Sequence, residues 1–348
     1  MIDNPYYSHE FHGDYELISI GRLDLEEGGS IPDCQLAVAS FGELNQARDN
    51  AILIPTWYSG THQIWRDVYI GPDHALNPER YFIVAINQIG SGLSTSPHNT
   101  PDGMANFPKV RISDDVRAQH RLLTGKFGLA SLALVVGGSM GAQQTYEWAV
   151  RYPDMVRRAA PIAGTAKSTD HFRVFLDTMA DTITSDPALN GGNYRQSSDV
   201  AAGLKRHARL WAVMGWSTEF YQQGRPAALG FPTADAFVDN FMAGYFAPMD
   251  PNDLLCMAWK CQHNDVSRIT RGNLPQALGR IQAKTFVMPV DHDMFFRPRD
   301  CEAEQKLIPG SEFRRLHSID GHLALFGTDP AFLAQVDKHL SELLATRA

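Results

Sequence analysis

The sequence predicts an α/β fold on a mostly parallel sheet, with an antiparallel start and an inserted helical segment. Short runs rich in valine and isoleucine recur along the chain, and buried parallel strands have this composition. Stretches with apolar residues at helical spacing separate these runs, which is the order of a sheet covered by helices. The 348 residues, of which 44% are hydrophobic, suffice for a large core.

The first two strands are expected in YELISIGRL and CQLAVASFGEL, where apolar residues alternate with polar ones. Polar, glycine-containing segments bound both, so these strands are expected to form the antiparallel start. Apolar runs follow at 51–58, 81–88 and 132–139, and the same pattern continues in RAAPIAGTA, TFVMPVDHD and EFRRLHSID.

Two segments predict helices that cover this sheet. ISDDVRAQHRLLTGKFGL has near-helical apolar spacing, and Ser113 or Asp114 is expected to cap it. DPAFLAQVDKHLSELLATR predicts a closing amphipathic helix with Phe332, Val336 and Leu340 facing the sheet.

The interval 166–277 differs from the rest because it is helical in character and contains no comparable valine and isoleucine run. An insertion of this kind between two strands predicts a cap over one end of the sheet. We therefore predict a core formed by 1–165 and 278–348, and a helical lid formed by 166–277.

Composition excludes several classes of protein. The 39 acidic and 31 basic residues give a net charge of −8 without long runs of either sign, so no nucleic-acid or membrane partner is expected. The N-terminal segment lacks the basic and apolar regions of a signal peptide, which favours a cytoplasmic location. Four cysteines are too few for a disulfide scaffold and are expected to be reduced.

The stretch GGSMG, from Gly137 to Gly141, satisfies G-x-S-x-G between a strand-like run and a helix-like run. A serine on such a strained turn is exposed as a nucleophile, and the following amide lies at the positive end of a helix. Ser139 is therefore the candidate nucleophile, and the Met140 amide is a candidate oxyanion donor. The alternative is an ordinary turn that needs small residues.

A serine nucleophile needs a base and an orienting carboxylate, and this type of fold supplies them in the order serine, acid, histidine. His322 follows the last strand-like run and is the preferred base. Asp293 is the preferred acid, with Asp291 as its solvated neighbour, whereas Asp320 is too close to His322 along the chain. His292 and the two flanking acids lack further ligands, so no metal site is expected.

The loop TWYSGTH, which follows the strand expected at 51–55, is expected to supply the second oxyanion donor, from the amide of Trp57 or Tyr58. Thr56 is expected to contact substrate, and Gly60 to let the backbone approach it. An ordinary aromatic loop is the alternative. Neither a dinucleotide-binding nor a phosphate-binding glycine motif is present, so no cofactor is expected.

The chain resembles the homoserine O-acetyltransferase family of α/β-hydrolase-fold enzymes. The resemblance implies an α/β-hydrolase fold in which Ser139, Asp293 and His322 are nucleophile, acid and base, with oxyanion donors at Met140 and in the 56–58 region. It also implies a homodimer through the lid. It is carried by SGTH, NQIGSG, FPKVRISDDVRAQHRLL, GGSMGAQQTYEWAVRYPDMV, GLKRHARL, DHDMFFRP and IPGSEFRRLHSIDGH.

One departure from this family concerns the acceptor. Members that acetylate homoserine usually have an aspartate directly after the catalytic histidine, positioned to bind the substrate amino group. Leu323 stands there, and an apolar side chain cannot bind an ammonium group. The first loop, PTWYSGTH, also departs from the usual H-A-L-T-G-x-x-H.

We therefore predict a serine-dependent acyl hydrolase that acts on a small-molecule acyl substrate through an acyl-serine intermediate, with Leu323 at the substrate. The alternative is an acyl-CoA-dependent O-acyltransferase that uses the same three residues. A non-catalytic small-molecule binder is the third hypothesis.

Overall fold

The computed structural model describes residues 1–101 and 103–347. Within these residues, ten strands form two sheets. The strands are β1 (Glu16–Ser19), β2 (Leu23–Asp24), β3 (Ser30–Ile31), β4 (Gln35–Phe41), β5 (Ala51–Pro55), β6 (Phe82–Ile86), β7 (Leu134–Gly138), β8 (Arg158–Ile162), β9 (Lys284–Val287) and β10 (Glu312–Phe313).

The main sheet has the strand order β1-β4-β6-β5-β7-β8-β9-β10, and β2 and β3 pair separately. β4 is antiparallel to both β1 and β6, whereas β6, β5, β7, β8, β9 and β10 all run parallel to one another. The predicted α/β fold with an antiparallel start is confirmed. Every residue of β5, β6 and β7 is buried, which explains their uniformly apolar runs.

Helices cover the sheet and fill the interval between β8 and β9. The helices outside that interval are α1 (His9–His12), α2 (His62–Val68), α3 (Ile112–Gly125), α4 (Met140–Arg151), α13 (Pro298–Gln305) and α14 (Pro330–Leu344). Those between β8 and β9 are α5 (Asp170–Thr184), α6 (Ala201–Met214), α7 (Thr218–Gln222), α8 (Arg225–Ala228), α9 (Ala234–Ala236), α10 (Ala243–Phe246), α11 (Pro251–Gln262) and α12 (Leu274–Leu278).

The start of α3 corrects the predicted cap. The helix begins at Ile112, so Ser113 and Asp114 lie inside its first turn instead of before it. Asp114 nevertheless satisfies an orphan donor, because its carboxylate accepts the backbone N–H of Arg111 at 2.8 Å. Helix α14 places Phe332, Val336 and Leu340 in the core as predicted.

The last predicted strand, EFRRLHSID, is much shorter than expected. Only Glu312 and Phe313 pair with β9, and a single bridge joins Leu316 to Val290. The chain then leaves the sheet edge and carries His322 back over it. None of the helices in residues 1–101 and 103–347 combines the length and apolar character needed to cross a membrane.

Candidate active site

Ser139 lies at the sharp turn between β7 and α4. Its backbone has φ = 53° and ψ = −120°, a conformation that is strained for a residue with a Cβ atom. The turn closes so tightly that a Cβ on Gly137 would lie 2.4 Å from the carbonyl carbon of Gly141. Glycine at both places therefore permits the turn, and the turn holds the serine hydroxyl above the sheet.

Hydrogen bonds connect Ser139 to the two partners expected from chain order. The Ser139 hydroxyl lies 2.9 Å from Nε2 of His322, and Nδ1 of His322 lies 2.8 Å from Oδ2 of Asp293. The other carboxylate oxygen of Asp293 accepts the backbone N–H groups of Phe295 and Phe296, at 2.8 and 3.0 Å. In the tautomer that satisfies this chain, His322 donates from Nδ1 and accepts at Nε2.

The two other acids considered for this role are engaged elsewhere. Asp291 binds Arg315 and lies 2.5 Å from Nδ1 of His317, at the exposed side of the loop. Asp320 is fully buried and forms a two-point contact with the guanidinium of Arg225, with both distances at 3.0 Å. Neither carboxylate is bonded to His322.

Three backbone amides near the Ser139 hydroxyl are candidates for an oxyanion hole. Met140 is the first residue of α4, where N–H groups have no partner within the helix. Among the described residues, no acceptor meets the N–H of Met140, Trp57 or Tyr58. The hydroxyl of Tyr58 points away from this group, since it donates to the Leu254 carbonyl at 3.0 Å.

An apolar cavity lies against Ser139 and His322. The space open to the centre of a water-sized molecule is about 20 Å³, roughly the room that one water needs. Leu323 lines this cavity, and its contact with substrate stays a prediction. The other residues around it are Trp57, Tyr58, Ser59, Trp211, Met242, Phe246, Leu325 and Phe326.

Thr56 and Gly60 do not line the cavity, and their predicted contact with substrate stays a prediction. Thr56 is fully buried, and its polar groups bind Ile86 and the side chains and backbone behind the loop. Gly60 accommodates the indole of Trp57, because a Cβ there would lie 2.0 Å from Trp57 Nε1. Both residues shape the loop instead of facing the pocket.

Sequence reasoning missed several residues of the cavity wall. Leu325 and Phe326 follow His322 closely in HLALF, and this proximity along the chain was an available signal. Met242 comes from a π-helical stretch before α10, and no pattern in the sequence indicates its position. Trp211 and Phe246 were not missed, because the sequence offers the aromatic residues of this interval either as the lining of an apolar entry or as packing within the lid, and these two line the cavity.

A buried histidine connects two of the cavity residues. His207 Nε2 accepts the indole N–H of Trp211 at 3.1 Å, and the Tyr58 hydroxyl lies 3.4 Å from the same nitrogen. Burial lowers the pKa of His207 to about 3, so it is neutral at physiological pH. This neutral ring packs helix α6 against the 56–62 loop.

One group of side chains has the composition of a metal site but is already paired. His98, Asp250 and Asp253 place one ligand atom each within 4.8 Å of one another. Asp250 accepts hydrogen bonds from Tyr194 at 2.5 Å and Ser197 at 2.7 Å, while Nδ1 of His98 lies 2.6 Å from Asp253. Burial raises the pKa of Asp253 to about 7. These partners fit a structural network that joins α11 to the loop after β6.

The chain is similar to known hydrolases along most of its length. A family model described as alpha/beta hydrolase fold matches residues 51–327. The ethyl acetate hydrolase of Pseudomonas veronii is 61% identical over 347 residues, 99% of each chain. The monoclinic structure of the acetyl esterase MekB has 60% identity and a TM-score of 0.98, covering 99% of this chain and 100% of that one.

The homoserine O-acetyltransferase of Thermobifida fusca is 32% identical, over 96% of this chain and 94% of its own, so the resemblance read from the sequence is confirmed. The chain belongs to the alpha/beta hydrolase fold family. Within that family it is an esterase-like serine hydrolase, because full-length relatives that carry esterase names are far more similar to it than the acyltransferases are.

Proposed function

We propose that the protein hydrolyses esters of acetic acid and of similarly short acids, with Ser139, His322 and Asp293 as its catalytic triad. The observation that carries this proposal is the hydrogen-bonded chain of these residues at the wall of an apolar cavity. The names ethyl acetate hydrolase and acetyl esterase, given to relatives at 61% and 60% identity, support the same substrate class.

Acylation begins when the Ser139 oxygen attacks the ester carbonyl carbon. The hydroxyl proton passes to Nε2 of His322, and the Asp293 carboxylate stabilises the resulting imidazolium through Nδ1–H. Negative charge develops on the carbonyl oxygen, where the amides of Met140 and of Trp57 or Tyr58 donate to it. The carbon–oxygen bond to the alcohol then breaks, and His322 returns the proton to the leaving alcohol.

Deacylation repeats these steps with water. His322 removes a proton from a water molecule, whose oxygen attacks the acyl carbon. The bond to Ser139 then breaks, His322 returns the proton to the Ser139 oxygen, and the acid leaves. The same oxyanion donors stabilise both tetrahedral intermediates. The reaction therefore requires only a water molecule above the acyl group, within reach of His322.

The apolar wall favours water over homoserine as the acceptor. Around the described cavity, His322 is the only side chain that can carry a charge, and Leu323 occupies the position where an aspartate would bind an amino group. An ammonium group in this place would lose its hydration without gaining a partner.

We propose in addition that segment 166–277 is the lid, because Trp211, Met242 and Phe246 from it cover the cavity. The homodimer through this lid and the cytoplasmic location stay predictions.

A product analysis tests this function. The purified protein is incubated with ethyl acetate or 4-nitrophenyl acetate, with and without homoserine, and free acetate and O-acetylhomoserine are quantified. We expect stoichiometric acetate in both cases and no turnover by Ser139→Ala. Full turnover by that variant would overturn the proposed nucleophile. Rapid O-acetylation of homoserine, from the ester or from acetyl-CoA, would overturn the preference for hydrolysis.

A further inference from the structure

The carbonyl of Thr56 is held by two glutamine side chains from different parts of the core. Nε2 of Gln88, in the loop after β6, donates to it at 2.6 Å, and Nε2 of Gln144, on helix α4, donates at 3.1 Å. All three residues are fully buried. Both lone pairs of one backbone oxygen are thus occupied, directly before Trp57 and Tyr58, whose amides are candidate oxyanion donors.

The orientation of Gln144 follows from a group that can only donate. The indole N–H of Trp148 donates to Oε1 of Gln119 at 2.7 Å, so Gln119 must present its Nε2 to Gln144. Nε2 of Gln119 donates to Oε1 of Gln144 at 2.6 Å. Gln144 is then left with its own N–H groups for the Thr56 carbonyl, so the chain of amides has one direction.

A second donor-only group orients Gln88. The Lys260 ammonium lies 3.5 Å from Oε1 of Gln88, which leaves Nε2 of Gln88 to face Thr56. Lys260 is itself fixed by Asp115, at 2.5 Å, and by the Ile89 carbonyl, also at 2.5 Å. Two independent sets of buried polar groups therefore converge on one carbonyl oxygen.

We propose that Gln144 and Gln88 are positioning residues for the oxyanion hole, and this inference rests on the proposed function. A trans peptide is planar, with its C=O and N–H pointing in opposite directions. Anchoring the Thr56 oxygen consequently sets the direction of the Trp57 N–H and fixes the turn from which the Tyr58 N–H projects.

Helix α4 is connected to both proposed oxyanion donors. The helix carries Met140 at its first position and Gln144 one turn later. One donor of the oxyanion hole is therefore part of α4, and the loop that supplies the other is hydrogen-bonded to the same helix through Gln144. A single rigid element sets the spacing between the two donors, which must match one oxygen atom of the transition state.

The test uses Gln144→Met, which keeps the length of the side chain and removes its hydrogen bonds. Gln143→Met is the matched control, because Gln143 is equally buried on the same helix but binds Ser168 and Cys261 instead of the loop. We expect Gln144→Met to lower kcat for 4-nitrophenyl acetate by about 10- to 100-fold, somewhat less than the loss of a whole oxyanion donor. KM and the melting temperature are expected to match those of the control.

A boronic acid that forms a tetrahedral adduct with the nucleophile provides the second readout. Gln144→Met should weaken its inhibition by about the factor lost in kcat/KM, while competitive inhibition by ethanol stays within about twofold, because only the adduct places an oxygen in the hole. Gln88→Met is expected to behave in the same way and supplies the test if Gln144→Met does not fold.

Two results are distinguishable. If the native protein and Gln143→Met hydrolyse the ester and Gln144→Met has the same kcat and boronate affinity, the positioning role is wrong while the esterase function stands. If the native protein releases no acetate, or if Ser139→Ala does so at the native rate, the proposed function itself fails.

Discussion

His322 and Asp293 meet at 2.8 Å, although 29 positions separate them in the sequence. Asp291, only two residues away from Asp293, faces Arg315 and His317 on the exposed side. The intervening His292 has φ = 61°, and this left-handed conformation turns the chain between the two acids. The reversal allows one carboxylate to enter the active site while its neighbour binds surface cations.

This relationship predicts unequal effects of two conservative substitutions. Asp293→Asn should lower kcat by about 10⁴-fold, because an amide can stabilise the wrong tautomer of His322 and cannot balance the imidazolium charge. Asp291→Asn should leave kcat within about twofold, since it contacts only exposed partners. Steady-state kinetics with 4-nitrophenyl acetate measures both. Equal losses in the two variants would contradict the assignment of the acid.

The strained backbone of Ser139 predicts a difference in stability between two inactive variants. Ser139→Gly and Ser139→Ala both remove the hydroxyl, but only glycine relaxes the positive φ. Glycine relieves the backbone strain of the folded protein, but it also makes the unfolded chain more flexible, which offsets part of the gain. We expect a net free energy of unfolding about 1 kcal/mol higher for the glycine variant than for the alanine variant. Urea denaturation measures this difference, and a more stable alanine variant would count against strain at this turn.

Leu323 predicts a change in acyl-chain preference. Leu323→Ala enlarges the cavity beside Ser139, so the ratio of kcat/KM for 4-nitrophenyl hexanoate to that for the acetate should rise by about tenfold. The matched control is Val213→Ala, which trims an exposed apolar side chain of helix α6. An unchanged ratio in Leu323→Ala would show that this residue does not limit the acyl chain.

The buried imidazole of His207 predicts acid lability. Its pKa falls from 6.5 in the unfolded chain to about 3 in the folded protein, chiefly by desolvation. Between these values the unfolded chain binds a proton that the folded chain does not. Above pH 6.5 both chains hold a neutral His207, so this residue does not lower the free energy of unfolding there. As pH falls from 6.5 towards 3, the free energy of unfolding decreases by about 1.4 kcal/mol per pH unit.

Urea denaturation of His207→Gln between pH 7 and pH 4 checks this expectation. Glutamine can still accept the Trp211 N–H, and the pH dependence should become shallower by about one proton. Burial also lowers the pKa of His12 and His62 to about 4, so some acid dependence is expected to persist in His207→Gln. An identical slope for His207→Gln and the native protein would contradict a neutral His207.

The sequence was most informative where a local pattern fixes a local structure. The buried runs predicted the parallel strands because both faces of such strands exclude polar residues. GGSMG predicted the turn at Ser139 because a turn this tight leaves no room for side chains at the flanking glycines. The chain order of the acid and the base identified Asp293 and His322 because strand ends meet at one edge of the sheet.

The cavity wall was harder to predict, because its members are adjacent only after the helices pack. Thr56 and Gly60 were expected to face substrate, yet one anchors the loop and the other gives room to Trp57. A residue in a loop can turn toward either side, and hydrogen bonds from distant segments decide which. Met242 lines the cavity only because of the way the helices pack, and no periodicity of apolar residues in the sequence predicts this position.

The cavity beside Ser139 has a kinetic consequence. Its free space is about 20 Å³, smaller than an ester needs, so we expect substrate binding to displace side chains of the wall such as Trp211 and Phe246. Loop and lid movements of this kind are slow compared with side-chain vibration and often limit enzymes. We therefore expect movement of the wall residues on α6 and α10 to limit the rate of substrate uptake, and faster chemistry at Ser139 would not raise that limit.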